Sequence, residues 1–253
     1  MSADQYLRGI LDRERVDTGP FSPVRGVVQT LSPMLNRWAG QYLLSINPSG
    51  SFAKGTANRS GTDIDLFLSL SSNTPDTLSE IRSTLRTQVT GSGYAVRDQN
   101  VSLGINVGSY KVDLVPAKRQ GSSGNDHSLY KSRAHTWTKT NVQTHITAVA
   151  NSGRCDEIRI LKLWRDQEGL DFPSIFLELA IIRALHGRRI GDLSNNVWSA
   201  FVFLRNNIAS MAVIDPANSA NHISADVSVA EKQKIANAAR SALAASNWSQ
   251  IVV

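Results

Sequence analysis

The most constraining stretch of this chain is Gly50-Ser51-Phe52-Ala53-Lys54-Gly55-Thr56, followed by Thr62-Asp63-Ile64-Asp65-Leu66-Phe67. A glycine-serine turn and a short flexible run lead into an apolar strand that carries two carboxylates at i and i+2. Side chains two apart on a strand point the same way, so Asp63 and Asp65 project from one face. Carboxylates that close repel each other unless a cation sits between them. The backbone N–H groups and hydroxyl of a Gly-Ser turn suit phosphate. Together these parts describe a site for a nucleotide with Mg²⁺. A P-loop is excluded, because it needs Lys and then Ser or Thr after the second glycine. Here Thr56 follows Gly55 directly, and Lys54 precedes it.

The 253 residues suffice for one large domain or two small ones. With 41 % hydrophobic and 19 % charged residues the composition is that of an ordinary globular protein. No run of about 18 apolar residues exists, so no membrane partner is expected. Met1-Ser2-Ala3-Asp4-Gln5 lacks a basic region followed by an apolar one, so no signal peptide is expected either. The lone Cys155 makes no internal disulfide, which fits a cytoplasmic location. The net charge of +6 suits a polyanionic partner.

Read in order, Ser2 caps a helix over 3–14, and Ser22-Pro23 starts a long one. Its apolar positions Val24, Val27, Val28, Leu31, Leu35, Trp38 and Tyr42 recur at spacings of three and four. A strand over 43–46 delivers the chain to Gly50. After the Asp63–Asp65 strand, Asn73-Thr74-Pro75-Asp76 caps a helix running to about residue 89. Strands are expected at 94–98, 101–107 and 111–116. The last places Asp113 in an apolar setting, as an exposed edge residue or as a partner of the other two acids. Residues 117–147 are polar and rather basic and read as a phosphate- or substrate-facing loop leading into a helix near Asn141. Its histidines, His127, His135 and His145, are too widely spaced for zinc.

From about residue 150 the pattern is helical. Arg159, Lys162 and Arg165 form a cationic stripe, ordinarily a solvated face. A buried helix follows Asp171-Phe172-Pro173-Ser174 and is interrupted by Glu178. A further helix spans roughly 193–209. Asp215-Pro216 opens a turn whose Asx side chains bond the backbone, and Ser228-Val229-Ala230-Glu231 is a capping box for the last helix.

The pattern G-S-F-A-K-G-T-x6-D-I-D-L-F resembles the nucleotidyltransferase signature of the DNA polymerase β-like superfamily. Trp137-Thr138-Lys139-Thr140-Asn141, Arg159-x-x-Lys162-x-Trp164 and the Asp215-Pro216 turn are similar to segments of one branch. That branch holds oligoadenylate synthases, archaeal-type CCA-adding enzymes and bacterial cGAS/DncV-like nucleotidyltransferases. The resemblance implies an α+β fold. A small mixed or antiparallel-sheet, palm-like catalytic domain (1–150, with N-terminal helices) packs against a C-terminal helical domain (151–253), with the active site in the cleft. Asp63, Asp65 and Asp113 would be the catalytic and metal-binding triad for two Mg²⁺ or Mn²⁺ ions, oxygen-only ligation favouring these over zinc. Gly50, Ser51 and Thr56 would grip the phosphates of an NTP. Lys162 would contact the triphosphate, with Arg165 as a second candidate and Glu178 either paired with a cation or positioning the lysine. The implied product is a short or cyclic oligonucleotide signal of the antiviral-defence type. The alternative acceptor is an RNA or tRNA 3′ end, which the basic 118–139 stretch favours.

Overall fold

The computed structural model describes every residue except Met1, Thr18, Pro20, Phe21 and Thr62. Thr62, which opens the acidic motif, and Met1, the first residue of the N-terminal stretch, therefore lie outside the described residues. In chain order, helix α1 (Ala3–Arg13) and helix α2 (Pro23–Ala39) precede strand β1 (Leu43–Pro48). The short helix α3 (Gly50–Lys54), strand β2 (Ile64–Leu70) and helix α4 (Leu78–Gly91) follow. Then come strands β3 (Arg97–Asp98), β4 (Leu103–Val107), β5 (Tyr110–Arg119), β6 (His127–Lys131) and β7 (Thr136–Thr140). Helices α5 (Val142–Ala150), α6 (Cys155–Gln167), α7 (Ser174–Ala184) and α8 (Leu193–Asn207) lead to the ribbon β8 (Ile214–Asp215) and β9 (Asn218–His222). Helix α9 (Val229–Ala244) completes the order, and the class is α+β as expected.

The chain divides into two compact units. The sheet unit is Asp17–Ala53 with Thr62–Ile146, and the helical unit is Met1–Val16, Lys54–Gly61 and Thr147–Val253. Thus α1 and the stretch after α3 both belong with the C-terminal helices.

In the sheet unit, the described strands form one sheet in the order β1-β2-β5-β4-β3, with β6 on β5 and β7 on β6. The β2–β5 pair is parallel. Alternation along β2 sends Ile64, Leu66 and Leu68 into a core shared with Val24, Val27, Leu31 and Leu35 of α2 and Leu85 of α4. Val112 and Leu114 of β5 join the same core. Asp65, Phe67, Asp113 and Val115 therefore occupy the opposite face. A one-residue slip would expose leucines each worth about 1.5–3 kcal/mol buried, and would drive Asp65 into the core. The hydrophobic alternation thus fixes which way the acids point.

In the helical unit, Leu7, Ile10 and Leu11 of α1 join Ile158, Leu161 and Trp164 of α6, Phe176 and Ile181 of α7, and Phe201 of α8 in a second core. Capping is as the sequence suggests at Ser2, Ser22 and Ser228. Asp215 Oδ1 accepts from the Ala217 N–H at 2.8 Å, confirming the Asx turn.

Three expectations change. Helix α2 stops at Ala39, short of Tyr42, because Gly40 leaves helical geometry with φ +51°. The cap of α4 is Thr77, which forms a capping box with Glu80 that Asn73-Thr74-Pro75-Asp76 does not offer. Residues 117–147 are no loop: β5 runs on to Arg119, and β6–β7 form a hairpin paired from His127↔Thr140 to Lys131↔Thr136. Its driving burial is His127, Leu129 and Thr140, two of which are polar.

Candidate active site

Asp65 on β2 stands in register with Asp113 on the neighbouring parallel strand β5. Register partners on adjacent strands share a face, so both carboxylates lie on the side away from the α2–α4 core. Asp63 is exposed, immediately before β2. Asp113 is only 9 % exposed. Burial pushes its carboxyl above the usual range, and the Asp63 charge adds to that, while the Gln99 hydrogen bond and Arg97 oppose it. Gln99 Nε2 donates to Asp113 Oδ1 at 2.8 Å, and Ser102 Oγ donates to Gln99 Oε1 at 2.6 Å.

The close approach of backbone to these acids requires glycine. Gly50 has φ +56°, and a Cβ there would lie 1.7 Å from Asp65 Oδ2. A Cβ on Gly104 would lie 3.0 Å from Asp113 Oδ1. The flexible run expected after Gly50 is instead the helix α3, with Ser51 half-buried in it. Its entry is tied to β2 by the Ser49 N–H, which donates to the Asp65 carbonyl at 2.8 Å.

A hard divalent cation suits this donor set in kind: the ligands are carboxylate oxygens, and Asp113 is disfavoured as an anion partly by Asp63. Among the described residues, however, no three His, Cys, Asp or Glu side chains form a ready cage. The metal therefore belongs to the proposal below.

On the same sheet face lies a cleft of about 440 Å³. Asn47, Phe67, Ser69, Arg119, Asn125 and His127 line it, with Val142 and Ile146 as an apolar wall. His127 bonds Ser69 Oγ and the Asn125 carbonyl, both at 2.8 Å, and burial lowers its pKa.

Within the helical unit, the cationic stripe of α6 is not a solvated face. Arg159 donates to the Ala57 and Leu11 carbonyls. Lys162 is 5 % exposed, and its Nζ lies 2.9 Å from Glu178 Oε1 and 3.1 Å from Thr56 Oγ1. Thr56, expected at phosphate, is fully buried and donates to Glu178 Oε1 at 3.2 Å. Glu178 also holds Lys54, Nζ to Oε2 at 2.8 Å. Burial alone would raise the Glu178 carboxyl, but Lys162 and Lys54 keep it below its ordinary value, and burial lowers Lys162. Arg165 is engaged locally, donating to Ser174 Oγ at 2.8 Å and lying over the Phe172 ring.

Sequence reasoning missed Gln99, Gly104 and the role of Lys54. Nothing local marks Gln99. Lys54 was visible only as a residue out of place for a P-loop, and Glu178 only as an interruption in an apolar helix.

No family model matches the chain, and no curated protein matches it in sequence. Solved structures do. CdnC of E. coli MS115-1, in complex with HORMA-deltaN, superposes with a TM-score of 0.76 at 20 % identity, over 96 % of this chain and 90 % of that one. The Cid1 poly(U) polymerase bound to MgATP gives 0.68 at 11 % identity, over 95 % and 93 %. The Elizabethkingia meningoseptica CdnE cyclic dinucleotide synthase with GTP and Apcpp gives 0.64 at 15 % identity, over 94 % and 98 %. The chain shares the fold of these structures.

Proposed function

We propose that the chain is a metal-dependent nucleotidyltransferase that consumes NTPs, releases pyrophosphate and makes a short or cyclic oligonucleotide. The observation that carries this is the in-register pair Asp65 and Asp113 within a fold shared with CdnE and Cid1. Asp63, Asp65 and Asp113 would hold Mg²⁺ or Mn²⁺, which when bound neutralises polyphosphate charge and lowers the pKa of an acceptor hydroxyl. Gly50 and Ser51 bind polyphosphate oxygens through main-chain N–H groups and the serine hydroxyl. Asp113, beside Asp65 on the neighbouring strand, takes the acceptor proton. The acceptor oxygen then bonds to the α-phosphorus as the bond to pyrophosphate breaks in line.

The cleft supports a nucleotide as acceptor. Its about 440 Å³ falls within the size of small-ligand sites, and Arg119, Asn125 and Asn47 offer polar edges beside apolar walls. Addition to an RNA 3′ end is the second reading, favoured by the +6 charge and the likeness to Cid1.

Incubation with each NTP, with and without bulk tRNA, separates them, with the Asp63→Ala/Asp65→Ala double variant as control. A phosphatase-resistant small product without RNA supports signal synthesis. Label on tRNA alone moves the assignment to RNA-end transfer.

A further inference from the structure

Residues 99–102 connect β3 to β4, and two distant parts of the sheet unit hold this connection. Arg82 of α4 is a buried arginine, 7 % exposed, and its guanidinium is directed chiefly at main chain. Nη1 donates to the Ser102 carbonyl at 2.9 Å. Nη2 donates to the Gln99 carbonyl at 2.7 Å and to Asp98 Oδ1 at 3.2 Å. The fork therefore spans the connection from its first residue to its last. From the link between β6 and β7, Ser132 Oγ donates to the Gln99 carbonyl at 3.0 Å, and the Ser132 N–H donates to the Asn100 carbonyl at 2.8 Å.

A hairpin this short closes through its own backbone, and here the Gln99 N–H donates to the Ser102 carbonyl at 3.2 Å. A guanidinium taken out of water is a costly addition to that closure. What distinguishes the connection is the Gln99 side chain. Its Oε1 accepts from Ser102 Oγ, and its Nε2 donates to Asp113 Oδ1. Arg82 and Ser132 fix the Gln99 main chain, Ser102 fixes its amide, and the amide meets the acid.

We propose that Arg82 is a positioning residue: it holds residues 99–102 so that Gln99 sets the place of the Asp113 carboxylate. This rests on the reading of Asp113 as a catalytic acid given above. Every group in the chain of contacts belongs to the sheet unit.

The test is a double-variant cycle in the full chain, with Arg82→Lys, Gln99→Leu and the two combined, read by pyrophosphate release from NTPs and by urea unfolding. Each single variant is expected to lower kcat by roughly tenfold or more, the effect of a misplaced acid. In the Gln99→Leu background, Arg82→Lys then costs no further activity, although it still lowers stability. An arginine with a purely structural role would give losses of activity that multiply. A second readout needs no turnover and no large change in the core. With isotope-labelled glutamine, the Gln99 side-chain amide is assigned in the NMR spectrum by its loss in Gln99→Leu. It is expected to shift in Asp113→Asn, in Arg82→Lys and in Ser132→Ala, which leaves the buried arginine in place. Multiplying losses from an active wild type, or a Gln99 amide that neither Arg82→Lys nor Ser132→Ala moves, overturns this proposal alone. A wild type that releases no pyrophosphate from any NTP overturns the reading of Asp113, and the catalytic part of this inference with it.

Discussion

Asp113 and Glu178 are both buried carboxylates, 9 % and 0 % exposed, and their surroundings drive them in opposite directions. Around Asp113, burial and the Asp63 charge raise the carboxyl. Around Glu178, Lys162 and Lys54 overcome burial and hold the carboxyl low. Asp113 is thus disfavoured as an anion despite the Gln99 hydrogen bond and Arg97. The second is already ionised and bonded, and it holds together residues 54–56, α6 and α7. On the function proposed above, the first region carries the chemistry, while the second supplies geometry.

Substitutions sharpen that contrast. Asp65→Asn is expected to cost at least roughly 10³-fold in nucleotidyl transfer, about 4 kcal/mol of transition-state stabilisation, while urea unfolding shows no loss of stability. Glu178→Ala is expected to invert the pattern. It strands two buried ammonium groups and lowers unfolding free energy by about 3–5 kcal/mol. Equal stability losses in the two variants would break the contrast.

Gly50→Ala tests the seam between the phosphate turn and the acids. The added Cβ meets Asp65 Oδ2 at a positive φ. Backbone strain is expected to cost about 1–3 kcal/mol, and displacement of the carboxylate about 10²-fold in rate. Activity within twofold of wild type would show that the close approach is irrelevant to chemistry.

The smallest effect is in pH dependence. Because the folded-state carboxyl of Asp113 lies above its unfolded value, the native state binds more protons in the interval between them. Stability then falls as pH rises from the ordinary carboxyl range to the raised value. In chelator-treated protein, Asp113→Asn is expected to be slightly more stable than wild type near neutrality. That gain vanishes as pH falls through the ordinary carboxyl range. A wild type that gains stability over this interval relative to Asp113→Asn would contradict the assignment.

Much of this was legible locally. The alternation around Ile64, Leu66 and Leu68 fixes the direction of Asp65, and Ser22-Pro23 and Ser228-x-x-Glu231 mark helix starts. The hairpin of β6 and β7 was hidden because its inward positions include His127 and Thr140 and its outward ones Ser128 and Lys139, so composition imitated a loop. The membership of α1 in the helical core was invisible, since Leu7 and Ile10 name no partner. Nor does any local signal reveal that Gln99 orients Asp113 or that Lys54 meets Glu178. Those contacts are set by tertiary packing, over separations that periodicity does not span.

The most direct measurement is pyrophosphate release by the wild-type chain from each NTP, with Mg²⁺ or Mn²⁺ and again after chelation, with and without RNA. The account predicts release in step with nucleotidyl product, abolished by the chelator and restored by the metal. Nucleotide binding without pyrophosphate release under every condition would contradict it and leave the acids of β2 and β5 without their chemistry.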